Sequence, residues 1–99
     1  MQPELSTDMK DPEAIPYFTW DDPMTVAQIH ERLRTASEPE RFRLLGKILR
    51  EANDTDVWNF TTPQYVADNW DRIERNLGRR RPFWIWLLGK WGELGLIRR

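Results

Sequence analysis

Residues 82–94, with the sequence PFWIWLLGKWGEL, decide the fold. Proline is suited to the first turn of a helix, where its missing N–H is not needed. Five apolar side chains then recur at helical spacing and define one face: Trp84, Leu87, Leu88, Trp91 and Leu94. Phe83 and Trp86 lie to the side of that face. The stretch therefore predicts a helix that is apolar nearly all round.

Such a helix needs more cover than three short neighbouring helices can supply. We therefore expect part of its surface to face a partner, and the alternative is a Trp-rich core that stabilises a small domain. Gly89, Gly92 and Gly95 follow at intervals of three, and each costs about 1 kcal/mol relative to alanine inside a helix. Their presence favours the close approach of a neighbouring backbone, and the alternative is early fraying at Gly92.

Helix-capping signals mark three earlier helices. Thr25 with Gln28 and Ser37 with Glu40 have the spacing of a capping box, and the second pair encloses Pro39. Thr62 is a third predicted cap, since it precedes Pro63, which suits the first turn of a helix. The second helix has the widest apolar stripe and should lie centrally. We therefore predict an all-α fold, a compact bundle of four main helices at about 24–36, 38–52, 63–77 and 82–94.

The beginning of the chain has a different character. Pro3, Pro12 and Pro16 interrupt residues 1–20, which carry few periodic apolar positions. They predict an extended acidic arm, followed by a single helical domain over residues 21–99. The aromatic stretch Tyr17-Phe18-Thr19-Trp20 suits a groove, either on this domain or on a partner.

Charge is distributed unevenly along the chain, although the net formal charge is only -1. Residues 1–25 contain six acids and one lysine, whereas residues 72–99 contain eight bases and two acids. Two interpretations stay open: the two ends neutralise each other within one molecule, or each end serves a partner of opposite charge.

The composition does not favour a catalytic site or a cofactor site. The chain has no cysteine and only one histidine, His30, and its serines are Ser6 in the arm and Ser37 at a cap. Neither Asp21-Asp22 nor Asp54-x-Asp56 continues into a calcium loop, and zinc would need more His or Cys. We therefore predict no enzyme activity, no cofactor and no metal.

The same composition bears on location. The longest apolar run, residues 83–88, is far shorter than the roughly twenty residues that a membrane span needs. The first residues lack the basic and apolar regions of a signal peptide. Together with the absence of cysteine, these features predict a cytoplasmic protein with no membrane partner.

Five arginines lie within ten residues: Arg72, Arg75, Arg79, Arg80 and Arg81. Guanidinium groups match the geometry of phosphate oxygens, so this cluster raises the alternative of nucleic-acid binding. The helix that follows does not suit a recognition helix, because its side chains are apolar and not polar. The competing interpretation is that these arginines are solvated residues between two helices and bind no phosphate.

Four stretches together resemble a known family: Pro16 to Asp21 (PYFTWD), Gly46 to Ala52 (GKILREA), Asp56 to Trp58 (DVW) and Leu77 to Trp84 (LGRRRPFW). The chain resembles a family of small, largely uncharacterised bacterial proteins, some of which are encoded beside nucleotidyltransferase-type toxins of the abortive-infection class. The similarity covers roughly residues 16–96. It implies an antitoxin-like role in binding a partner protein, and it transfers no catalytic or binding residue.

These observations favour a protein-binding module without catalysis. The residues expected to contact the partner are Tyr17, Phe18, Trp20, Trp84, Trp86 and Trp91. Two alternatives remain: an arginine-mediated nucleic-acid-binding or regulatory protein, and a protein that self-associates as a homo-oligomer through its last helix.

Overall fold

The structure, a computed structural model, describes residues 4–98. The described residues form five helices: α1 (Val26–Thr35), α2 (Glu38–Glu51), α3 (Pro63–Asp68), α4 (Trp70–Ile73) and α5 (Arg81–Glu93). Two short strands, β1 (Leu5–Ser6) and β2 (Ile15–Pro16), pair in parallel. Turns of 3-10 helix cover Tyr17–Thr19, Asp56–Asn59, Glu74–Asn76 and Gly78–Arg80. The predicted all-α class is confirmed.

Two of the three predicted caps are present. Thr25 and Gln28 form the reciprocal capping box at the start of α1, with N···O distances of 3.1 and 2.8 Å. The Thr62 hydroxyl accepts a bond from the amide of Tyr65 at the start of α3. The capping box predicted at Ser37 is wrong, because Ser37 is the N-cap residue of α2 but its side chain makes no capping bond. Two glutamates nevertheless lie in the first turn of α2, where the positive end of the helix dipole stabilises their negative charge.

Helix α2 is central, as predicted, and it packs against α1, α4 and the last two 3-10 turns. Its buried side chains include Phe42, Leu45, Ile48 and Leu49. Gly46 also lies on the buried side, where α2 meets the turn Glu74–Asn76. A Cβ at Gly46 would overlap with the Cβ of Asn76 and lie only 3.3 Å from its carbonyl oxygen. The absence of a side chain at Gly46 therefore sets how closely this turn approaches the central helix.

The third predicted helix, over 63–77, is not continuous. It divides into α3, α4 and a 3-10 turn, and the division falls at Asn69. The Asn69 side-chain amide donates to the Tyr65 carbonyl at 2.9 Å, a local bond of the kind that interrupts regular helix. After the break, the later half of this segment approaches Gly46 through Asn76 and buries Ile73 and Leu77 in the core.

The C-terminal end of α2 is held by two aromatic side chains from distant parts of the chain. The amide of Asn53 donates to the Tyr17 hydroxyl at 2.7 Å and not to the Leu49 carbonyl four residues earlier. The indole N–H of Trp84 donates to that carbonyl at 3.0 Å. Both groups at the helix end are therefore satisfied by side chains, which ties the N-terminal segment and α5 to α2.

Tyr17 also donates to Asp56, with a distance of 2.6 Å between the two oxygens. Burial and the neighbouring Asp56 raise the pKa of Tyr17 to about 12, although the bond from the Asn53 amide acts in the opposite direction. The hydroxyl of the folded chain therefore keeps its proton at pH values where an ordinary tyrosine loses it.

Tyr17→Phe is expected to lower the free energy of unfolding at neutral pH by about 1 kcal/mol, because it removes the partner of Asn53 and Asp56. Since the folded pKa of Tyr17 is raised, its contribution is complete below pH 10 and is lost as the pH rises towards 12. Urea denaturation of both proteins at about pH 7 and about pH 11 measures this difference. A gap between the two proteins that stays the same at both pH values would contradict the assignment.

The N-terminal segment is not the extended arm that was predicted. Met9 and Phe18 are buried in the same core as the helices, so the predicted boundary at residue 20 divides one core. The acids of this segment organise tight turns, in which Asp8 and Asp11 accept bonds from amides two residues later. Residues 1–3 of the predicted arm, and residue 99 of the predicted domain, lie outside the described residues.

The chain after α5 is also anchored. Gly95 has a φ of +72°, and the amides of Gly95 and Leu96 donate back to Gly92 and Trp91, the pattern of a Schellman motif. Gln64 and Arg98 then exchange two bonds of 2.8 and 2.9 Å. Within residues 4–98, none of the helices has both the length and the apolar character that crossing a bilayer requires.

Candidate functional site

Helix α5 has an inner side that completes the core. Trp84 and Leu88 are fully buried, and Phe83, Leu87 and Trp91 are half-buried. The ring of Trp58, in the 3-10 turn Asp56–Asn59, packs between those of Trp84 and Trp91, with centroid distances of 5.8 and 5.5 Å. This inner side is the face that the sequence pattern defined, apart from Leu94, which is exposed.

The opposite side of α5 carries apolar residues that the described chain covers only in part, although the Trp86 ring lies beside that of Phe83. Ile85 is 43% exposed and Trp86 is 58% exposed. Pro82, Ile85, Trp86 and Gly89 are spaced i, i+3, i+4 and i+7, so they form one stripe along the helix, which we call the outer face of α5. A stripe with this spacing is typical of the surface by which one helix docks on another.

Gly89 forms a notch in the outer face. Among the described residues, a Cβ at this position would meet no heavy atom within 4 Å other than those of its sequence neighbours and its own helix backbone, and the same holds for Gly95. The close approach of a neighbouring backbone, which the glycine spacing favoured, is therefore not present at Gly89 or Gly95 within residues 4–98. Gly95 is explained by its left-handed conformation, whereas Gly89 lies in regular helix, where glycine costs about 1 kcal/mol relative to alanine.

The six aromatic residues predicted to bind a partner do not form one surface. Phe18 and Trp84 are buried, so the structure corrects the prediction that they contact a partner. Tyr17 and Trp91 are half-buried and committed to packing within the chain. Trp20, which is 65% exposed beside the bond between Asp21 and Lys47, and Trp86 are the two accessible indoles of this set.

The predicted arginine cluster is likewise divided. Arg80 pairs with Asp54 at 2.6 Å and Arg81 with Glu74 at 3.2 Å. Arg72 and Arg75 line a groove of about 360 Å³, which lies between α2 and the segment after α3. Arg79 is exposed at the start of the turn that leads into α5. The five side chains therefore serve several sites, and the nucleic-acid alternative stays a prediction.

Sequence reasoning missed a second group of cations, on α1 and α2. Arg32, Arg43, Lys47 and Arg50 line an open groove of about 690 Å³, and Arg43 also borders the groove of Arg72 and Arg75. The spacing of residues 43, 47 and 50 along one helical face was the signal available in the sequence. Two acids, Asp22 and Glu40, line the same groove, so its charge is mixed.

The titratable side chains of residues 4–98 do not gather into a metal site. His30 is exposed and lies beside the ring of Phe60, with centroids 5.0 Å apart. Within the described chain no group of three or more His, Asp or Glu residues could hold a metal ion. The candidate functional site of the described residues is a surface, the outer face of α5.

Comparisons with known protein families, with curated proteins and with solved structures found no match for this chain. The family resemblance drawn from the four sequence stretches therefore stays a prediction.

Proposed function

We propose that this chain is a protein-binding module that works without catalysis and docks through the outer face of α5. The observation that carries the proposal is the exposure of Trp86 beside Ile85, on the same helix that buries Trp84 completely. Tryptophan contributes strongly to binding when it enters a pocket of a partner.

Ile85 and Trp86 lose their remaining contact with solvent when a partner covers them. Moving a large apolar side chain from full exposure to full burial contributes about 1.5–3 kcal/mol. Ile85 and Trp86 lie on adjacent positions of the stripe, so one partner can cover both at once. The charged residues that border the stripe, Arg81 and Glu93, supply a polar rim of the kind found around such contacts.

The finer proposal comes from the family resemblance alone, and it identifies the partner as a nucleotidyltransferase-type toxin. An antitoxin-like role requires binding and no chemistry from this chain, which fits a surface built from apolar side chains. Co-expression with such a toxin should relieve its growth arrest, and this effect should depend on Trp86.

The proposal predicts the outcome of co-purification from the native host with a tagged chain. A protein recovered with the wild type should fall at least about tenfold in the Ile85→Ala/Trp86→Ala variant, since a loss of about 1.4 kcal/mol already changes affinity tenfold. Trp20→Ala is the matched control, because it removes an indole of similar exposure from another surface, and it should leave the yield unchanged. Equal recovery with all three proteins would contradict the proposal.

A further inference from the structure

We propose that the outer face of α5 binds the same face of a second copy of this chain. The two helices cross in an antiparallel two-fold pair, in which Trp86 of each copy lies over Gly89 of the other. This inference rests on the proposed function: the second copy covers the outer face when no other partner does, and a tighter-binding partner displaces it.

The outer face is complementary to itself. Trp86 is its largest projection and Gly89 is its notch, and they lie three residues apart on one stripe. A two-fold axis that passes between them exchanges residue 86 of one copy with residue 89 of the other. Both indoles then cover both notches in a single arrangement, as an isologous interface requires.

Gly89 has no explanation within the fold of one chain. Gly89 weakens α5, and within residues 4–98 no atom from outside this stretch of helix fills the space that it leaves open. Small residues at helix crossings permit closer packing of the partner than a larger side chain would. A Trp86 side chain from a second copy is a group of suitable size that every molecule already carries.

The direction of the pair follows from charge. Arg79, Arg80 and Arg81 lie at or just before the N-terminal end of α5, where Arg80 and Arg81 also pair with Asp54 and Glu74, and Glu93 is the acid within this helix. An antiparallel pair places Glu93 of each copy beside the arginines of the other and opposes the two helix dipoles. A parallel pair would instead place the arginines of the two copies side by side. The Glu93 side chain is 71% exposed and forms an ion pair with Lys90 of its own helix, at 3.6 Å.

The size of the contact sets its expected strength. A helix of 13 residues is about 20 Å long, so one crossing covers less than the roughly 800 Å² per partner of a standard stable interface. We therefore expect a weak dimer, with a Kd between about 10 and 500 µM, which a dilute sample would not reveal.

Sedimentation equilibrium of the purified full chain between about 5 and 500 µM measures this association. The wild type and Trp20→Ala should pass from monomer to dimer over this range. Trp86→Ala and Gly89→Gln should stay monomeric, and Gly89→Gln should keep or raise the melting temperature, because its side chain enters open space in a helix. A wild type that is monomeric throughout, or a Gly89→Gln protein that dimerises like the wild type, would overturn the inference.

The absence of cysteine allows a direct test of direction. The antiparallel register places residue 82 of one copy opposite residue 93 of the other. A mixture of the single variants Pro82→Cys and Glu93→Cys should therefore form mainly the mixed disulfide under mild oxidation, as mass spectrometry can show. A predominance of disulfides between identical variants would refute the antiparallel pair.

Failure of this inference can be told apart from failure of the proposed function. A monomeric wild type that still loses its host partner through Ile85→Ala/Trp86→Ala overturns the second copy and supports a different protein on the outer face. A chain that neither dimerises nor needs these residues for capture overturns both. A dimeric chain whose capture of a host protein does not depend on these residues overturns the proposed function and leaves the dimer standing.

Discussion

Trp84→Ala is expected to lower the free energy of unfolding by about 3–5 kcal/mol, the usual cost of removing a large buried aromatic side chain. Trp84 is fully buried, and its ring packs edge-on against Trp58. The substitution leaves a cavity and also removes the donor to the Leu49 carbonyl at the end of α2. Urea denaturation followed by circular dichroism measures the change.

Trp86→Ala is the matched control for this prediction, because it removes the same side chain two residues later in the same helix. Trp86 is more than half exposed, so in dilute solution its replacement should change the free energy of unfolding by no more than about 0.5 kcal/mol. Similar losses for the two variants would show that α5 does not have a buried side and a solvent-facing side.

Gly46→Ala is expected to lower the free energy of unfolding by about 2–3 kcal/mol, at the upper end of the usual cost of overpacking. The new methyl group would overlap with Asn76 at its Cβ and press on its backbone. Arg50 donates to the Asn76 carbonyl at 2.7 Å, so movement of the turn also disturbs that bond. The midpoint of urea denaturation should fall accordingly.

Gly89→Ala is the same replacement at a position where the new methyl group has open space around it. It should raise the free energy of unfolding of the monomer by up to about 1 kcal/mol, since alanine favours helix and meets no neighbour. The two glycine replacements should therefore have opposite signs. A stabilising Gly46→Ala would contradict the close contact between α2 and the turn Glu74–Asn76.

Much of the fold was predictable because local signals and packing agree. The caps at Thr25 and Thr62 satisfy amides that have no other partner, so they fix where α1 and α3 begin. The break at Asn69 was not predicted, because the apolar spacing continues through it. What divides this segment is the side-chain bond of Asn69 together with the approach to Gly46, and the second of these is a contact between distant residues.

The sequence predicted the candidate site only in part. It indicated that α5 has more apolar surface than its neighbours can cover, and Ile85 and Trp86 are the exposed portion. The predicted binding residues nevertheless included Trp84, since residue type alone does not separate the two sides of a helix that is apolar nearly all round. Arg43 lines two neighbouring grooves, and both depend on how α2 packs against the rest of the chain. No local sequence pattern encodes that packing.

The central claim is that Trp86 is open to solvent in the monomer and becomes covered when the chain associates. Fluorine NMR of the chain labelled with fluorotryptophan resolves its six indoles one by one. In a dilute sample Trp86 and Trp20 should show a large shift between H2O and D2O, and Trp84 should show almost none. As the concentration rises, or as a partner is added, the Trp86 signal should lose this shift while the Trp20 signal keeps it. A Trp86 signal that matches Trp84 in the dilute sample would contradict the account.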